Sequence, residues 1–414
     1  MPRGESQTPK EALTPPSAPL SPKAQTAEQR AETQALRLEL TSIKELEALF
    51  KDAKKRFLET HTEEDRQSAV LLHKELKERI ASLRDKINPF ERVISVREQY
   101  ESQVTILNTV GILETFTTGE HTGEQGIIGI DGKEYPIPTY QDISRRMIDK
   151  REVLKTKIEQ GFTKLILVPF GMPIDTLIEK YKQTLQRHFD EGKLFYTKAD
   201  PDDPDEEQVL IPKLHAEGPL YVWDQYQGGD MIDPATNTSK LVYDPQEFSP
   251  DHKGKTKQDL ITINGGWQIL LLENMPNIPR QGKVKTQGGR TQIDTKGNTI
   301  TAYMEAGKII PSPQEYLSAI ITESSNPASP YFQEQGMTPE EQMMYALTYL
   351  EETNQVIDDW QGNGSLSYQI RAYFPAFGCV PIACWNRDAG RAYLSWDDRG
   401  YRRGNYGLRS AVGV

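Results

Sequence analysis

Apolar residues recur every three or four positions in ALRLELTSIKELEALFKDAKKRFLE, at Leu36, Leu40, Ile43, Leu46, Phe50, Ala53 and Phe57. After HTEEDRQ the rhythm resumes at Ala69, Leu72, Leu76, Ile80, Leu83 and Ile87. Such spacing gathers the apolar groups on one stripe of a helix. Residues 34–88 are therefore expected to form a helical hairpin or coiled coil with charged outer faces, broken near Asn88-Pro89. This unit reads equally as a solvated spacer or as a device that makes the protein a homo-oligomer through residues 34–88. Residues 1–33, rich in Pro, Ser, Thr, Ala and Gln and without periodicity, read as a disordered leader.

Residues 89–160 predict a helix, a β-hairpin and a second helix. The first helix lies near 95–113, and the polar helix covers roughly 140–160. Between them, GIIGIDGKEYPIP sets Asp131-Gly132 among alternating apolar residues, a turn signature. TKLILVPF (163–170) is a near-continuous apolar run and reads as a buried strand, followed by the helix IDTLIEKYKQTLQRHF. From 191 to 310 helical rhythm is lost, and GPLYVWDQY and GGWQILLLE read as short strands. Thr338-Pro339-Glu340-Glu341 opens the last helix with an N-cap, a first-turn proline and a capping box. Beyond it only short alternating strands and turns are signalled. The class is α+β.

Composition narrows the functions. In 414 residues, 36% are apolar and 26% charged, which suits two or three folded units with part of the chain solvated. No run of about 18 apolar residues predicts a membrane span, and the N-terminus lacks the apolar stretch of a signal peptide. Two cysteines cannot build a disulfide framework, so a reducing, cytoplasmic home is expected. The 49 Lys+Arg against 60 Asp+Glu give a net charge of −11, which argues against general nucleic-acid binding. That charge is uneven. Residues 361–414 hold seven Arg, three Asp and no Lys or Glu, so the tail carries 7 − 3 = +4 and the rest −15.

Motifs for catalysis, metals or cofactors are weak. Gly254-Lys255-Thr256 looks like the end of a phosphate-binding loop, but Ser249 occupies the place of a required glycine and no strand leads in. His61, His73, His121, His188, His215 and His252 show no metal-ligand spacing. The acidic run Asp200, Asp202, Asp203, Asp205, Glu206 lacks the glycine and closing glutamate of a calcium loop and reads as a solvated charge run. Cys379 and Cys384 are either a redox couple or small buried residues. No cofactor, metal or catalytic residue is expected.

The tail is more informative. Residues 385–406, WNRDAGRAYLSWDDRGYRRGNY, contain five Arg, three Tyr, three Asp, three Gly, two Trp and two Asn, and no Lys, Glu, Gln, Met, Ile or Val. Without β-branched apolar residues the segment reads as mostly surface. Its composition is that of a paratope, in which aromatics supply contact area and small polar groups supply adaptable hydrogen bonds. An Arg/Asp-rich turn region bonded to itself is the plainer alternative.

Phe374-Pro375-Ala376-Phe377-Gly378, Cys384-Trp385-Asn386-Arg387, Ala392-Tyr393-Leu394 and the ending Tyr406-Gly407-Leu408-Arg409-Ser410-Ala411-Val412 resemble a C-type-lectin-fold domain. The matching branch is that of formylglycine-generating-enzyme-like proteins. More narrowly, the chain resembles the variable target proteins of diversity-generating retroelements of candidate-phylum bacterial type. NPFERVISVREQYE, GFTKLILVPFG, GGWQILLLENMPNIP and LEETNQVIDDWQGNG carry the same likeness, so it spans most of 88–414. The resemblance implies a C-type-lectin-like domain over 161–414 with a variable region at about 385–406. In such systems a reverse transcriptase rewrites codons wherever its template has adenine. AAY codons rewritten at their first two positions cannot encode Lys, Glu, Gln, Met or Trp, and 385–406 lacks the first four. The resemblance thus implies variable, ligand-binding positions at Asn386, Asp388, Arg391, Tyr393, Ser395, Asp397, Asp398, Tyr401, Arg403, Asn405 and Tyr406. Trp385 and Trp396 depart from the codon rule and are taken as supporting aromatics. Gly407, Leu408, Arg409, Ala411 and Val412 would form the invariant closing strand, with Leu408 and Val412 packing inward. The implied function is non-enzymatic recognition of a protein or other macromolecular ligand. Alternatives are a formylglycine-generating-type oxidase using Cys379 and Cys384, and a structural assembly protein.

Overall fold

Charge and apolar spacing shape the first unit. A computed structural model describes residues 27–414 except 88, 199–202, 204, 279–285, 288–289, 292–311 and 404–405. Of the expected leader, positions 1–26 lie outside these residues, and helix α1 (Ala27–Thr60) takes in 27–33. Helix α2 (Glu63–Ile87) follows after two residues and opens on Glu63, Glu64 and Asp65, the sign that suits a helix N-terminus. The Thr60 and Thr62 hydroxyls donate to Asp65 Oδ2 at 2.5 and 2.6 Å and fix the turn. Ile43, Leu46, Leu76 and Leu83 form the hairpin's core, with Phe50, Leu72 and Ile80 packed against it. Every one of these positions belongs to the apolar rhythm. Residues 1–87 and 88–414 are two compact units.

The second unit contains the 89–160 segment. It begins with helices α3 (Glu91–Ile94) and α4 (Val96–Thr109) and a three-stranded meander of β1 (Glu114–Thr115), β2 (Gln125–Ile128) and β3 (Glu134–Pro136). The Asp131-Gly132 turn sits where expected, with Gly132 at φ +73°. The polar helix is two helices, α5 (Tyr140–Asp149) and α6 (Arg151–Glu159), divided at Lys150, whose ammonium donates to the Gly413 carbonyl at 2.9 Å. Strand β4 (Phe162–Val168) and helix α7 (Ile174–Asp190) follow. Then come β5 (Leu220–Val222), β6 (Val242–Tyr243), α8 (Lys257–Asn264) and β7 (Gln268–Glu273). After the short β8 (Thr286–Gln287) and β9 (Arg290–Thr291) lie α9 (Pro313–Ser325), β10 (Glu334–Gln335) and α10 (Pro339–Thr353). The tail is all strand and turn: β11 (Asp359–Trp360), β12 (Leu366–Tyr368), β13 (Ala372–Tyr373), β14 (Cys379–Asn386), β15 (Arg391–Asp398), β16 (Tyr406–Leu408) and β17 (Ala411–Gly413).

Two sheets carry this α+β unit. One has the order β10-β17-β7-β4, and its apolar strands β4 and β7 are buried on both faces. The other has the order β16-β12-β14-β15-β5 with β11 alongside β14. Helix α10 lies in the main core; its residues from Pro339 to Leu350 are all buried. Thr338 caps it and Glu341 reaches back to the cap N–H at 2.8 Å, the capping box that the sequence signalled.

Two helices went unread in the sequence. Helix α8 is capped by Thr256 with Asp259 in the box, and α9 by Ser312 with Glu315 and Pro313 in its first turn. Thr256 is therefore a helix cap and Lys255 pairs through its backbone with Tyr243, so the phosphate-loop likeness is an ordinary helix start. The next residue, Lys257, is fully buried. Its ammonium meets Asp230 at 2.5 Å, Glu340 at 2.8 Å and the Met172 carbonyl at 3.0 Å. The Tyr243 hydroxyl donates to the same Glu340 oxygen at 2.6 Å. Burial opposes the charge of Lys257, but the two carboxylates outweigh it and raise its pKa.

Candidate functional site

Strands β14 and β15 form a long antiparallel ribbon joined by the turn Arg387–Gly390. Asn386 makes that turn: its Oδ1 accepts from the Ala389 N–H at 3.0 Å and its carbonyl accepts from Gly390 N–H at 2.9 Å. Gly390 sits at φ +64°, and a Cβ there would stand 2.8 Å from the Lys213 carbonyl, so the turn needs glycine.

The register sorts the candidate residues. Opposed residues share a face, and alternate residues along a strand share a face. Asn386 opposes Arg391, Cys384 opposes Tyr393, Ile382 opposes Ser395 and Val380 opposes Asp397. Through β12, which pairs Tyr368 with Ile382 and Leu366 with Tyr406, Tyr406 joins the same face. One face thus carries Asn386, Arg391, Tyr393, Ser395, Asp397 and Tyr406. The other face sends Ala383, Trp385, Ala392 and Leu394 into the main core. Asp388 is exposed on the turn, and Asp398, Tyr401 and Arg403 are exposed where β15 leaves the sheet. Asn405 lies outside the described residues.

Burial agrees with 385–406 as mostly surface but places five of its described residues, Trp385, Gly390, Ala392, Leu394 and Asp397, in the interior. Trp385 is 1% exposed and Leu394 is equally buried, so alternate positions of both strands are core. Trp385 is scaffold, as an unvarying aromatic would be. Trp396 is 43% exposed and packs on Trp223, which also touches Phe377, with ring centroids 5.4 and 5.3 Å apart. Asn386, Arg391, Tyr393, Ser395 and Tyr406 are half-buried. Tyr393 and Tyr406 pack at the margin of a second core formed by α9 and residues such as Tyr368, Ile382 and Leu408. Burial, and then Asp397, push the Tyr406 hydroxyl up to about 12. Asp397 departs furthest from expectation: it is buried, and its carboxylate accepts from Arg403 Nε at 2.8 Å and from the Asp398 N–H at 2.9 Å. Leu408 and Val412 are buried as expected.

The +4 of the tail is not an open cationic face. Arg371 binds Asp244 at 2.7 Å and Glu341 at 2.6 Å. Arg387 forks onto Asp359 and lies 4.1 Å over the Tyr196 ring. Arg409 pairs with Asp358 at 2.8 Å and sits 4.6 Å over the Tyr345 ring. Arg402 pairs with Glu315, and Arg399 donates to the Phe248 carbonyl. Arg391 pairs with Glu217 at 2.9 Å and lies beside the packed rings of Tyr221 and Tyr393, 5.2 and 5.3 Å from their centroids. Arg403 pairs within the tail, with Asp397. Five of the six ion-paired arginines therefore use carboxylates outside 361–414. The tail is stitched to the body more than to itself.

Glu217 and Tyr221 belong to this face, and sequence reasoning missed them. They reach it because β5 pairs in parallel with β15, opposing Tyr221 to Tyr393. No local pattern announces a partner 174 residues away, as Glu217 is from Arg391.

The cysteines are five residues apart on one strand, so they point to opposite faces of the sheet. Both are buried free thiols. Burial pushes Cys379 up to about 11 and Cys384 well above its ordinary value, which leaves no thiolate nucleophile at neutral pH. Among the described residues, no group of three or more His, Cys, Asp or Glu could hold a metal ion, and Asp200 and Asp202 of the acidic run lie outside them. Among the same residues no helix is long and apolar enough to cross a membrane. No protein-family model, curated protein or solved structure matches the chain.

Proposed function

We propose that residues 386–406 form the recognition face of a ligand-binding protein of C-type-lectin type, a variable target protein of a diversity-generating retroelement. The single observation that carries this reading is separability. Arg391, Tyr393 and Ser395 alternate with core positions along β15, and Asn386 and Tyr406 share their face from β14 and β16. Asp388, Asp398, Tyr401 and Arg403 are exposed at the turn and beyond the strand; of the described candidates Asp397 alone is buried. Of the five tail arginines outside the candidate set, Arg371, Arg387 and Arg409 anchor on the buried carboxylates Glu341, Asp359 and Asp358, while Arg399 and Arg402 hold the Phe248 carbonyl and Glu315. Arg391, inside the set, pairs with a glutamate that is 75% exposed, whereas Arg403 and Asp397 pair with each other and vary safely only together. Replacing such an outer residue leaves little behind in the core, whereas replacing an anchor strands a buried charge. Recognition would be non-covalent, with Tyr393, Tyr401, Tyr406 and Trp396 as apolar anchors and Asp388, Asp398 and Arg403 setting charge complementarity toward a protein or other macromolecule. The buried, unpaired thiols suit a reducing, cytoplasmic setting.

The decisive test is genomic. The reading expects a near-repeat of the DNA encoding the tail, differing from it at adenines, beside a reverse-transcriptase gene. A complete genome lacking both sinks the retroelement reading. A library randomised at Asn386, Asp388, Arg391, Tyr393, Ser395, Asp398 and Tyr401 tests the scaffold separately. Most members should stay folded by protease resistance; general unfolding of the library would refute separability.

A further inference from the structure

The hairpin α1–α2 has too little interior for its size. Among its described residues only Ile43, Leu46, Ala53, Leu76 and Leu83 are buried. Two antiparallel helices with so few buried side chains stand at the margin of stability, since most helical stability comes from packing an apolar face. Yet further apolar groups stay exposed: Leu38, Leu40, Leu49 and Leu58 on α1, and Val70 and Leu71 on α2, with Leu38 at 66% and Leu71 at 67%. They are not scattered. Leu38 and Leu49 are eleven residues apart, about three turns, and Leu40 and Leu58 eighteen apart, about five turns, so they form two lines along α1. These lines flank the stripe of Ile43, Leu46 and Ala53 and widen it on both sides.

Charge says what covers them. In α1, residues 38–47 hold Glu39, Glu45 and Glu47 against Lys44, and 48–60 hold Lys51, Lys54, Lys55 and Arg56 against Asp52 and Glu59. In α2, Glu63, Glu64 and Asp65 open the helix, and Lys74, Lys77 and Arg79 outnumber Glu75 and Glu78 further on. Both helices therefore run from acidic to basic. Any antiparallel neighbour sets acidic halves against basic halves; any parallel neighbour sets like against like. The pattern is self-complementary, as an interface between identical chains must be.

We infer that a second copy of this hairpin docks on the face that carries Leu38, Leu49 and Leu71, with adjacent helices antiparallel, to make a four-helix bundle that dimerises the protein. The interface is independent of the tail. The test is sedimentation equilibrium of the purified full chain. It should sediment at twice 47.0 kDa. The triple variant Leu38→Lys, Leu49→Lys, Leu71→Lys touches no buried residue, so far-UV circular dichroism should keep its helix content while the dissociation constant rises by about a hundredfold or more. A wild-type chain that stays single up to about 100 μM, or a triple variant that keeps the dimer mass, overturns the inference. Reversing Lys51, Lys54 and Lys55 to Glu should also weaken the dimer. Mixing that chain with one carrying Glu39→Lys, Glu45→Lys and Glu47→Lys should restore association; no gain on mixing rules out the antiparallel arrangement.

Discussion

Arg409 and Arg391 lie eighteen residues apart in one tail and look alike in sequence, but their surroundings assign them opposite tasks. Arg409 is buried with Asp358, which also accepts from Gln342 Nε2 at 2.7 Å and from the Ile278 N–H at 3.1 Å. Burial raises the pKa of Asp358 against the pull of Arg409, so this is a costly ion pair, held by three hydrogen bonds to the carboxylate. Arg391 instead reaches an exposed glutamate beside two tyrosines, at the start of β15. The difference shows that a guanidinium is structural when its carboxylate is buried and expendable when its carboxylate is wet.

The comparison can be broken most forcefully at the inner member. Arg409→Ala leaves Asp358 buried without its cation and should cost about 3–5 kcal/mol in urea unfolding. Leu394→Ala, which empties a core position beside Ser395, should cost about 2–5 kcal/mol, while Ser395→Ala one residue on should stay within about 1 kcal/mol. An equal loss at both would dissolve the two-faced reading of β15. A third prediction concerns Glu341, the buried partner of Arg371. Burial pushes its carboxyl up to about 7, with Arg371 pulling the other way. Below the ordinary value of 4.5 both folded and unfolded chains hold this proton; between 4.5 and about 7 the folded chain alone keeps it. Stability should therefore fall as pH rises through that window, and Glu341→Gln should flatten the slope measured by thermal melts. Arg391→Ala should cost about 1–2 kcal/mol in urea unfolding, less than Arg409→Ala, because its carboxylate partner is solvated although its own side chain is 11% exposed. Smallest is Tyr401→Ser, at a side chain 58% exposed, which should move stability by less than about 0.5 kcal/mol while altering recognition.

What the sequence revealed was local. The hairpin's apolar stripe, the Asp131-Gly132 turn, the strand at 163–170 and the Thr338 capping box each depend on neighbours within a turn or two. The helices α8 and α9 are as well capped, but α8 is only eight residues long and carries an inward lysine, which hides its apolar face. The division at Lys150 was hidden because it interrupts no apolar repeat. The candidate face was partly legible, since alternation in β15 separates Tyr393 and Ser395 from Leu394. Its chemistry was not, because the partners of Arg391, Arg387 and Arg402 lie 174, 28 and 87 residues away. Reading the tail's charge without them turned a set of anchors into a cationic surface.

Strand β17 lies between β10 and β7, inside its sheet rather than at its rim. Its register against Leu270, Leu271 and Leu272 is set by residues just downstream of 385–406. A frameshift or stop codon anywhere in 385–406 therefore withholds the middle of a sheet built mostly from residues far upstream. Such a chain should be cleared by proteases, whereas one altered only by in-frame replacement at outer positions completes the sheet. The placement of this strand makes completion of the sheet depend on translation through to residue 413.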